Sequence, residues 1–302
     1  MLLTSEQMAH FAARGFLRFD GLVPAEINQQ FLLDVGAVED EETWDSYYQK
    51  LMTEGGLPVV PAGVSLADAY PEESALARLL ALPEVAGAIQ SLVGRAPVFD
   101  HHFLHVTFPP AYYQGNAPVA QHTHQDSTID PRQAFDIQIM YFPHEVTVEM
   151  GGTRFIPGTH LRVVSEASIG RYQNVLGQQH MVCPAGTLLF MHMGIWHGGG
   201  ANTSDHLRYM FKIRICPTQR QVRLWDTSDL AADHGRQRPI FWTGRGEDAD
   251  PVQRILMTPE PWFEHDTGRL EFMNRVRFWR FLLGDDRWDA DYWLTRIENE
   301  PD

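Results

Sequence analysis

Two histidines and an aspartate in the middle of the chain have the residue types that a redox-active iron needs. His124 and Asp126 lie one residue apart between two predicted strands, and His197 follows the apolar run TLLFMHM at 187–193. Two neutral imidazoles and one carboxylate leave ferrous iron with three adjacent open positions, enough for a bidentate keto acid and dioxygen. Because the chain has 14 histidines, a His-x-Asp pair alone is a weak signal, and the spacing to further residues decides more.

Arg208 adds a cationic side chain to this candidate site; it lies eleven positions after His197, in the run LRYMFKIRI. The alternation of this run predicts a strand with one apolar face and one mostly polar face, and it places Arg208 and Lys212 on the polar face. A guanidinium there can bind the distal carboxylate of 2-oxoglutarate through two parallel hydrogen bonds while the keto acid end chelates iron. The residues therefore predict a site for iron and a keto diacid.

Other side chains offer alternatives or additions to this site. His122 is an alternative to His124, because the run HTH presents two imidazoles. The cluster at 101, 102 and 105 favours a core or substrate contact over a zinc site. We predict substrate contacts from His102, from Tyr113 in a loop that could form a lid, and from Trp196 beside a ligand. The alternatives are a surface loop for Tyr113 and plain packing for Trp196.

The elements that must position these residues fall into three parts of one predicted domain, residues 1–302. Residues 1–95 read as helical, with a capping box at Thr4 and Gln7 and a helix over 73–93 that Pro83 divides. The acidic segment 37–56 is either a surface helix or a flap. Residues 96–216 are short β-rich runs bounded by Pro, Gly or Asn, and 217–302 reads as a helical extension. We predict a mainly β fold with flanking helices around a double-stranded β-helix, the cupin-like jelly roll.

The composition and charge of the chain limit the classes of partner that it can bind. The formal charge of −15 and the pI near 5.3 disfavour nucleic acid and anionic membranes, which leaves a small-molecule substrate. No apolar run is long enough for a membrane span, and the N-terminus lacks the pattern of a secretion signal. The only two cysteines, Cys183 and Cys216, lie in apolar runs and are predicted to be buried free thiols. We expect a cytoplasmic monomer or homodimer.

Four segments, in order and spacing, resemble the phytanoyl-CoA dioxygenase family of Fe(II)/2-oxoglutarate oxygenases. They are FAARGFLRFDGLVP at 11–24, HQD at 124–126, GGTRFIPGTH at 151–160 and CPAGTLLFMHMGIWHGGGANTSDHLR at 183–208. The resemblance extends over roughly residues 8–216. The part beyond 217 carries none.

The resemblance implies roles for individual residues. It makes His124, Asp126 and His197 the iron ligands and Arg208 the 2-oxoglutarate anchor. It also places Gln125 and Tyr141 next to the co-substrate.

One position departs from the family pattern. Relatives often have Ser or Thr two residues after the distal histidine, where this chain has Gly199; either Thr203 or Ser204 compensates or the bond is absent. In GGTRFIPGTH, the two glycines indicate a positive φ or a close backbone approach, and Pro157-Gly158 indicates a tight turn.

The implied activity is hydroxylation of a small organic molecule by Fe(II), 2-oxoglutarate and dioxygen, with release of succinate and carbon dioxide. Asp126 keeps the position that related halogenases empty for a halide, which favours hydroxylation. The same oxidising chemistry could instead give desaturation, cyclisation or epimerisation. Alternatives of other classes are a metal-binding cupin-like protein without activity and a zinc hydrolase, which would not need Arg208.

Overall fold

The computed structural model of the chain describes residues 1–114, 116, 118, 120–126, 135–162, 169–170, 175–219 and 224–230. The predicted helical extension over 217–302 lies almost entirely outside these residues.

Five helices precede the first long strand. Thr4 caps the first helix: its hydroxyl accepts from the Gln7 N–H at 3.2 Å, and its own N–H donates to Gln7 Oε1 at 2.9 Å, so the predicted capping box is confirmed. Pro83 begins the fifth helix and separates it from the fourth, as predicted. The helices are α1 (Ser5–Arg14), α2 (Ala25–Asp34), α3 (Trp44–Glu54), α4 (Ala75–Leu80) and α5 (Pro83–Val93).

The segment 37–56, which the sequence left open, contains a short 3₁₀ turn and then α3. Trp44 and Tyr47 on this helix are 5% and 4% exposed and pack with Phe108 and Tyr209. These two residues therefore face inward, whereas Tyr48 is 38% exposed, and α3 is a helix packed on the β-rich part rather than a free flap.

In the described part of the chain, eight strands form two antiparallel sheets. The five-stranded sheet has the order β1-β6-β3-β8-β2, and the three-stranded sheet has the order β5-β4-β7. The strands are β1 (Phe16–Phe19), β2 (Val98–Thr107), β3 (Ile137–Phe142), β4 (Thr153–Ile156), β5 (Gln179–His180), β6 (Thr187–His192), β7 (Trp196–Gly199) and β8 (Arg208–Cys216). The mainly β architecture with flanking helices is as predicted.

The two faces of the five-stranded sheet have different partners. One face packs against the helices through a large apolar cluster that includes Tyr141, Phe190 and Phe211. The other face carries Met140, Met191 and Met210, which pack with residues of the smaller sheet's region. Side chains alternate between these two environments along each strand, so the strand register decides which residues face the space between the sheets.

The glycines of the GGTRFIPGTH segment have the geometry that the sequence indicates. Gly151 has φ +61°, and a Cβ there would collide with the carbonyl of Ala201. Gly158 has φ +84° in the turn after β4. Both positions therefore require glycine.

Two further expectations can be compared with the fold. Cys183 and Cys216 are free; Cys183 is buried as predicted, whereas Cys216 is only half-buried, and burial raises the pKa of each thiol to about 11. Among the described residues, no helix combines the length and the apolar character needed to cross a bilayer.

Candidate metal centre and cavity

Strand β7 and the turn before it position the three predicted metal ligands. His124 and His197 lie opposite each other in an antiparallel bridge: the His124 N–H donates to the His197 carbonyl at 2.9 Å, and the His197 N–H donates to the His124 carbonyl at 2.8 Å. The Asp126 N–H donates to the Met193 carbonyl at 3.1 Å. Directly opposed residues project to the same face of an antiparallel pair. The two imidazole centroids are accordingly 4.4 Å apart.

The potential ligand atoms of His124, Asp126 and His197 all lie within 4.8 Å of one another. Asp126 Oδ2 is 3.4 Å from His197 Nε2, and Asp126 Oδ1 is 3.8 Å from His124 Nε2. One divalent cation bound between these atoms would contact all three residues at ordinary ligand distances after small side-chain adjustments.

Hydrogen bonds to the backbone fix both imidazoles in the tautomer that a metal needs. His124 Nδ1 lies 3.0 Å from the His122 carbonyl, and His197 Nδ1 lies 2.9 Å from the Ile195 carbonyl. A carbonyl only accepts, so each Nδ1 must carry a proton, and in the neutral imidazole Nε2 then keeps its lone pair. This arrangement is typical of metal-binding histidines.

The protonation states also suit a cation. Burial lowers the pKa of His197 to about 4, so its imidazole is neutral at neutral pH. Burial opposes ionisation of Asp126, but His197 and Lys212 beside it outweigh that effect and hold the carboxyl pKa below its ordinary value. Neutral imidazoles and an ionised carboxylate are the forms that bind metal.

Arg208 lies at one end of a cavity of about 190 Å³ that His124 and His197 also line. Its side chain is buried, and its Nη1 and Nη2 donate to the Met150 carbonyl and to Thr107 Oγ1, each at 2.8 Å. Burial lowers the Arg208 pKa to about 10, so the guanidinium remains charged at neutral pH. The site therefore joins a candidate metal-binding triad to a fixed cation.

The hydroxyl beside Arg208 comes from an unexpected residue. Thr203 Oγ1 donates to the Glu149 carbonyl, and Ser204 Oγ donates to Asn202 Oδ1, so neither compensates for Gly199. Thr107, paired with Arg208 across β2 and β8, carries the hydroxyl that contacts the guanidinium.

Three predicted contacts are corrected by the structure. Tyr141 points to the helix side of β3, where its hydroxyl donates to Asn28 Oδ1 at 2.5 Å, and Met140 lines the cavity instead. His102 stacks on Tyr70 in the same helix-side core. Trp196 packs in a separate apolar cluster on the face of β7 opposite His197.

The remaining predictions have mixed outcomes. His122 is exposed and is not part of the group of converging side chains, and its backbone carbonyl lies 3.0 Å from His124 Nδ1; this geometry favours His124 as the candidate ligand. Tyr113 is close enough to interact electrostatically with Arg208. Gln125 is half-buried, and its contact with the co-substrate stays a prediction.

Sequence reasoning missed Gln121 and Thr107 at the cavity, and it left His105 in a cluster of three histidines expected to contact either the core or the substrate. Gln121 accepts from the Gly199 N–H at 3.1 Å through its Oε1, and His105 and Thr107 line the cavity from β2. The period-2 pattern of β2 was the available signal for the last two, because alternate residues of a strand share a face.

A family model described as "Phytanoyl-CoA dioxygenase (PhyH)" matches residues 11–210 of the chain. No curated protein sequence gives a match. Among solved structures, the epimerase SnoN in complex with Fe³⁺, alpha ketoglutarate and nogalamycin RO is 18% identical, with 70% of this chain and 83% of that chain covered and a TM-score of 0.51. This likeness concerns the fold alone.

Two further solved structures have lower TM-scores. The alpha ketoglutarate dependent carbocyclase SnoK from nogalamycin biosynthesis is 19% identical, with 72% of this chain and 85% of that chain covered and a TM-score of 0.48. HygX from Streptomyces hygroscopicus, with nickel and 2-oxoglutarate bound, is 14% identical, with 72% and 87% covered and a TM-score of 0.48.

Proposed function

The chain belongs to the phytanoyl-CoA dioxygenase family, and from that premise we propose that it hydroxylates a small organic molecule with release of succinate and carbon dioxide. Enzymes of this family are oxidoreductases that use Fe(II), 2-oxoglutarate and dioxygen. The protein is therefore an enzyme of oxygenase type with these cofactors. The hydroxylation, the residue roles and the jelly-roll connection of its two sheets are our proposal.

The convergence of three ligand atoms carries the proposal. His124, Asp126 and His197 offer two Nε2 atoms and a carboxylate within 4.8 Å, and both Nδ1 atoms are engaged by backbone carbonyls. Donors of this type, with one face open to a cavity, suit ferrous iron. A zinc hydrolase would leave the buried Arg208 without a function.

Arg208 is proposed to bind the distal carboxylate of 2-oxoglutarate. Each Nη atom uses one N–H for its protein acceptor, Met150 or Thr107, which leaves a second N–H on each for a ligand. These acceptors hold the guanidinium plane in place before the ligand arrives. A fixed fork of two donors suits a carboxylate better than a flexible ammonium does.

In this proposal the side chains of the site hold the co-substrate and the substrate in place and limit the access of water. Bound iron supplies the activation of dioxygen, coupled to oxidative decarboxylation of 2-oxoglutarate. His197 is 3% exposed and Arg208 is 5% exposed, so the inner part of the site is shielded from solvent. Asp126 fills the ligand position that a halide would otherwise take, which supports hydroxylation over halogenation.

The proposal is tested by screening pooled metabolites for succinate formation with Fe(II), ascorbate and 2-oxoglutarate. We expect a substrate-dependent increase in succinate and a product that has gained one oxygen atom. A product that has lost two hydrogens, or one of unchanged mass, would replace hydroxylation by desaturation, cyclisation or epimerisation. The absence of iron and 2-oxoglutarate binding would contradict the residue assignment itself.

A further inference from the structure

One of the chain's two lysines lies buried beside the proposed iron ligands. Lys212 is 6% exposed, whereas Lys50 lies on the surface of α3, and every other basic residue among the 24 is arginine. Lys212 Nζ is 3.2 Å from Asp126 Oδ2 and 5.4 Å from the centroid of the Phe103 ring. A buried ammonium is costly unless an anion accompanies it, so its presence at this cavity calls for a function.

Lys212 marks the end of the cavity away from Arg208. Both residues lie on the same face of β8, four positions apart, a separation of about 13 Å along an extended strand. In the proposed function, 2-oxoglutarate occupies the space between the iron and Arg208. The Lys212 end is therefore the end left for the primary substrate.

In the loaded site Lys212 would have to share its only nearby anion among the described residues with the iron. Iron would draw on the Asp126 carboxylate that now pairs with Lys212. One carboxylate of 2-oxoglutarate would bind the iron and the other would bind Arg208. A buried cation whose counter-ion is shared in this way attracts another anion, because the local dielectric is low.

His105 adds a second polar group at the same place. Its Nε2 is buried and has no hydrogen-bond partner, and the residue lines the cavity between the Phe103–Lys212 and Thr107–Arg208 strand pairs. Burial, and then the charges of Lys212 and Arg208, lower its pKa to about 4, so the imidazole is neutral and carries one N–H. An unsatisfied polar atom in a cavity indicates a ligand that satisfies it.

We propose that Lys212, assisted by His105, binds an oxyanion of the primary substrate, so that the substrates are small molecules bearing a carboxylate, phosphate or phosphonate. This inference rests on the proposed function, since it assumes that iron and 2-oxoglutarate fill the rest of the cavity. The competing role for Lys212 is to orient Asp126 without touching substrate.

Charge-matched probes test the inference without knowledge of the substrate. Protein loaded with Zn(II) and saturating 2-oxoglutarate is titrated calorimetrically with benzoate and benzamide, and with methylphosphonate and its dimethyl ester. We expect at least one anion to bind about 10- to 100-fold more tightly than its neutral partner, the range for a hydrogen bond to a charged group. Lys212→Met should abolish that preference, Lys212→Arg should retain part of it, and Lys50→Met is the matched surface control that should leave it unchanged.

A lysine-specific signal gives a second, direct readout. Protein labelled with ¹³Cε-lysine should give two lysine resonances, and the Lys50→Met variant identifies which one belongs to Lys212. The Lys212 resonance should shift with the preferred anion and not with its neutral partner, while the Lys50 resonance stays in place as an internal reference.

The outcomes separate this inference from the proposed function. Failure to bind Zn(II) or 2-oxoglutarate at all would overturn the proposed function. Normal loading with no preference for either anion, or a preference that survives in Lys212→Met, would overturn the substrate class. Anion affinity that falls as 2-oxoglutarate rises would place the anion at Arg208 and would also overturn it. If Lys212→Met loses Zn(II) affinity and the unaltered protein shows no preference for anions, then Lys212 only orients Asp126 and the inference is overturned.

Discussion

Replacing Arg208 with leucine should weaken 2-oxoglutarate binding far more than it weakens the fold. The substitution removes the two N–H groups that remain for a ligand after Met150 and Thr107 have been satisfied. Hydrogen bonds to charged groups contribute about 1.5–3 kcal/mol each. Because paired bonds are not additive, we take about 3 kcal/mol for the fork, which corresponds to about a 100-fold rise in Kd.

The assay is an anaerobic titration of the Fe(II)-loaded protein with 2-oxoglutarate, followed by thermal unfolding of each variant. Arg208→Leu leaves the Met150 carbonyl and the Thr107 hydroxyl without their donor, at a stability cost of about 1–3 kcal/mol. Arg208→Lys keeps the charge and loses the planar fork, so its Kd should lie between those of the other two proteins. Arg18→Leu, which removes a surface guanidinium paired with Asp20, is the matched control.

An unchanged Kd in a folded Arg208→Leu protein would refute the reasoning, because no other described cation lies at that end of the cavity. A Kd that rises equally in Arg18→Leu would show that the effect is a general loss of positive charge. Equal affinity of Arg208→Lys and the unaltered protein would show that charge suffices and that the fork geometry contributes nothing.

Three other changes have definite expected results. Asp126→Ala should abolish substrate-dependent succinate formation and lower Fe(II) affinity, and retained activity would remove Asp126 from the ligand set. His160 is buried outside the candidate metal site, and burial lowers its pKa to about 4. The unfolded protein therefore protonates His160 at a higher pH than the folded protein does. The free energy of unfolding should fall as the pH drops from 6.5 to 4, by up to about 1.4 kcal/mol per pH unit. Urea unfolding of metal-free protein at several pH values should show a flatter profile for His160→Gln, and an identical profile would contradict this cause. Gly151→Ala should destabilise the protein by several times the roughly 1 kcal/mol expected for Gly63→Ala. Both glycines have a positive φ, but only a Cβ at Gly151 would collide with the Ala201 carbonyl. Equal losses of stability in thermal unfolding would refute this steric argument.

The residues on β8 were accessible to sequence reasoning because one face of that strand is polar and the other is apolar. The alternation placed Arg208 and Lys212 together, and they do share the cavity face. What it did not predict is the contact of Lys212 with Asp126, which depends on how the segment at 121–126 pairs with β7. Pairing of segments so distant in sequence is not encoded in a local pattern.

The failures have equally specific causes. In β3 both faces are buried and apolar, so the pattern does not tell which face Tyr141 takes. In β2 the register shifts between Phe99 and His101, and that irregularity turns His102 toward the helices and His105 toward the cavity. Thr107 was missed for a related reason, because its contact with Arg208 follows from the pairing of β2 with β8.

The register of β8 is thus the feature on which both cationic residues depend. A slip of one residue would turn Arg208 and Lys212 into the helix-side core and would place aromatic residues in the cavity. Three apolar residues of β8 oppose such a slip. Phe211, Ile213 and Ile215 are each fully buried against the helices, and burial of such a side chain stabilises the fold by about 1.5–3 kcal/mol. The apolar face that packs the sheet against the helices therefore also orients the two cations toward the proposed metal ligands. A substitution in that core that loosens β8 should weaken co-substrate binding without changing any of the proposed ligands.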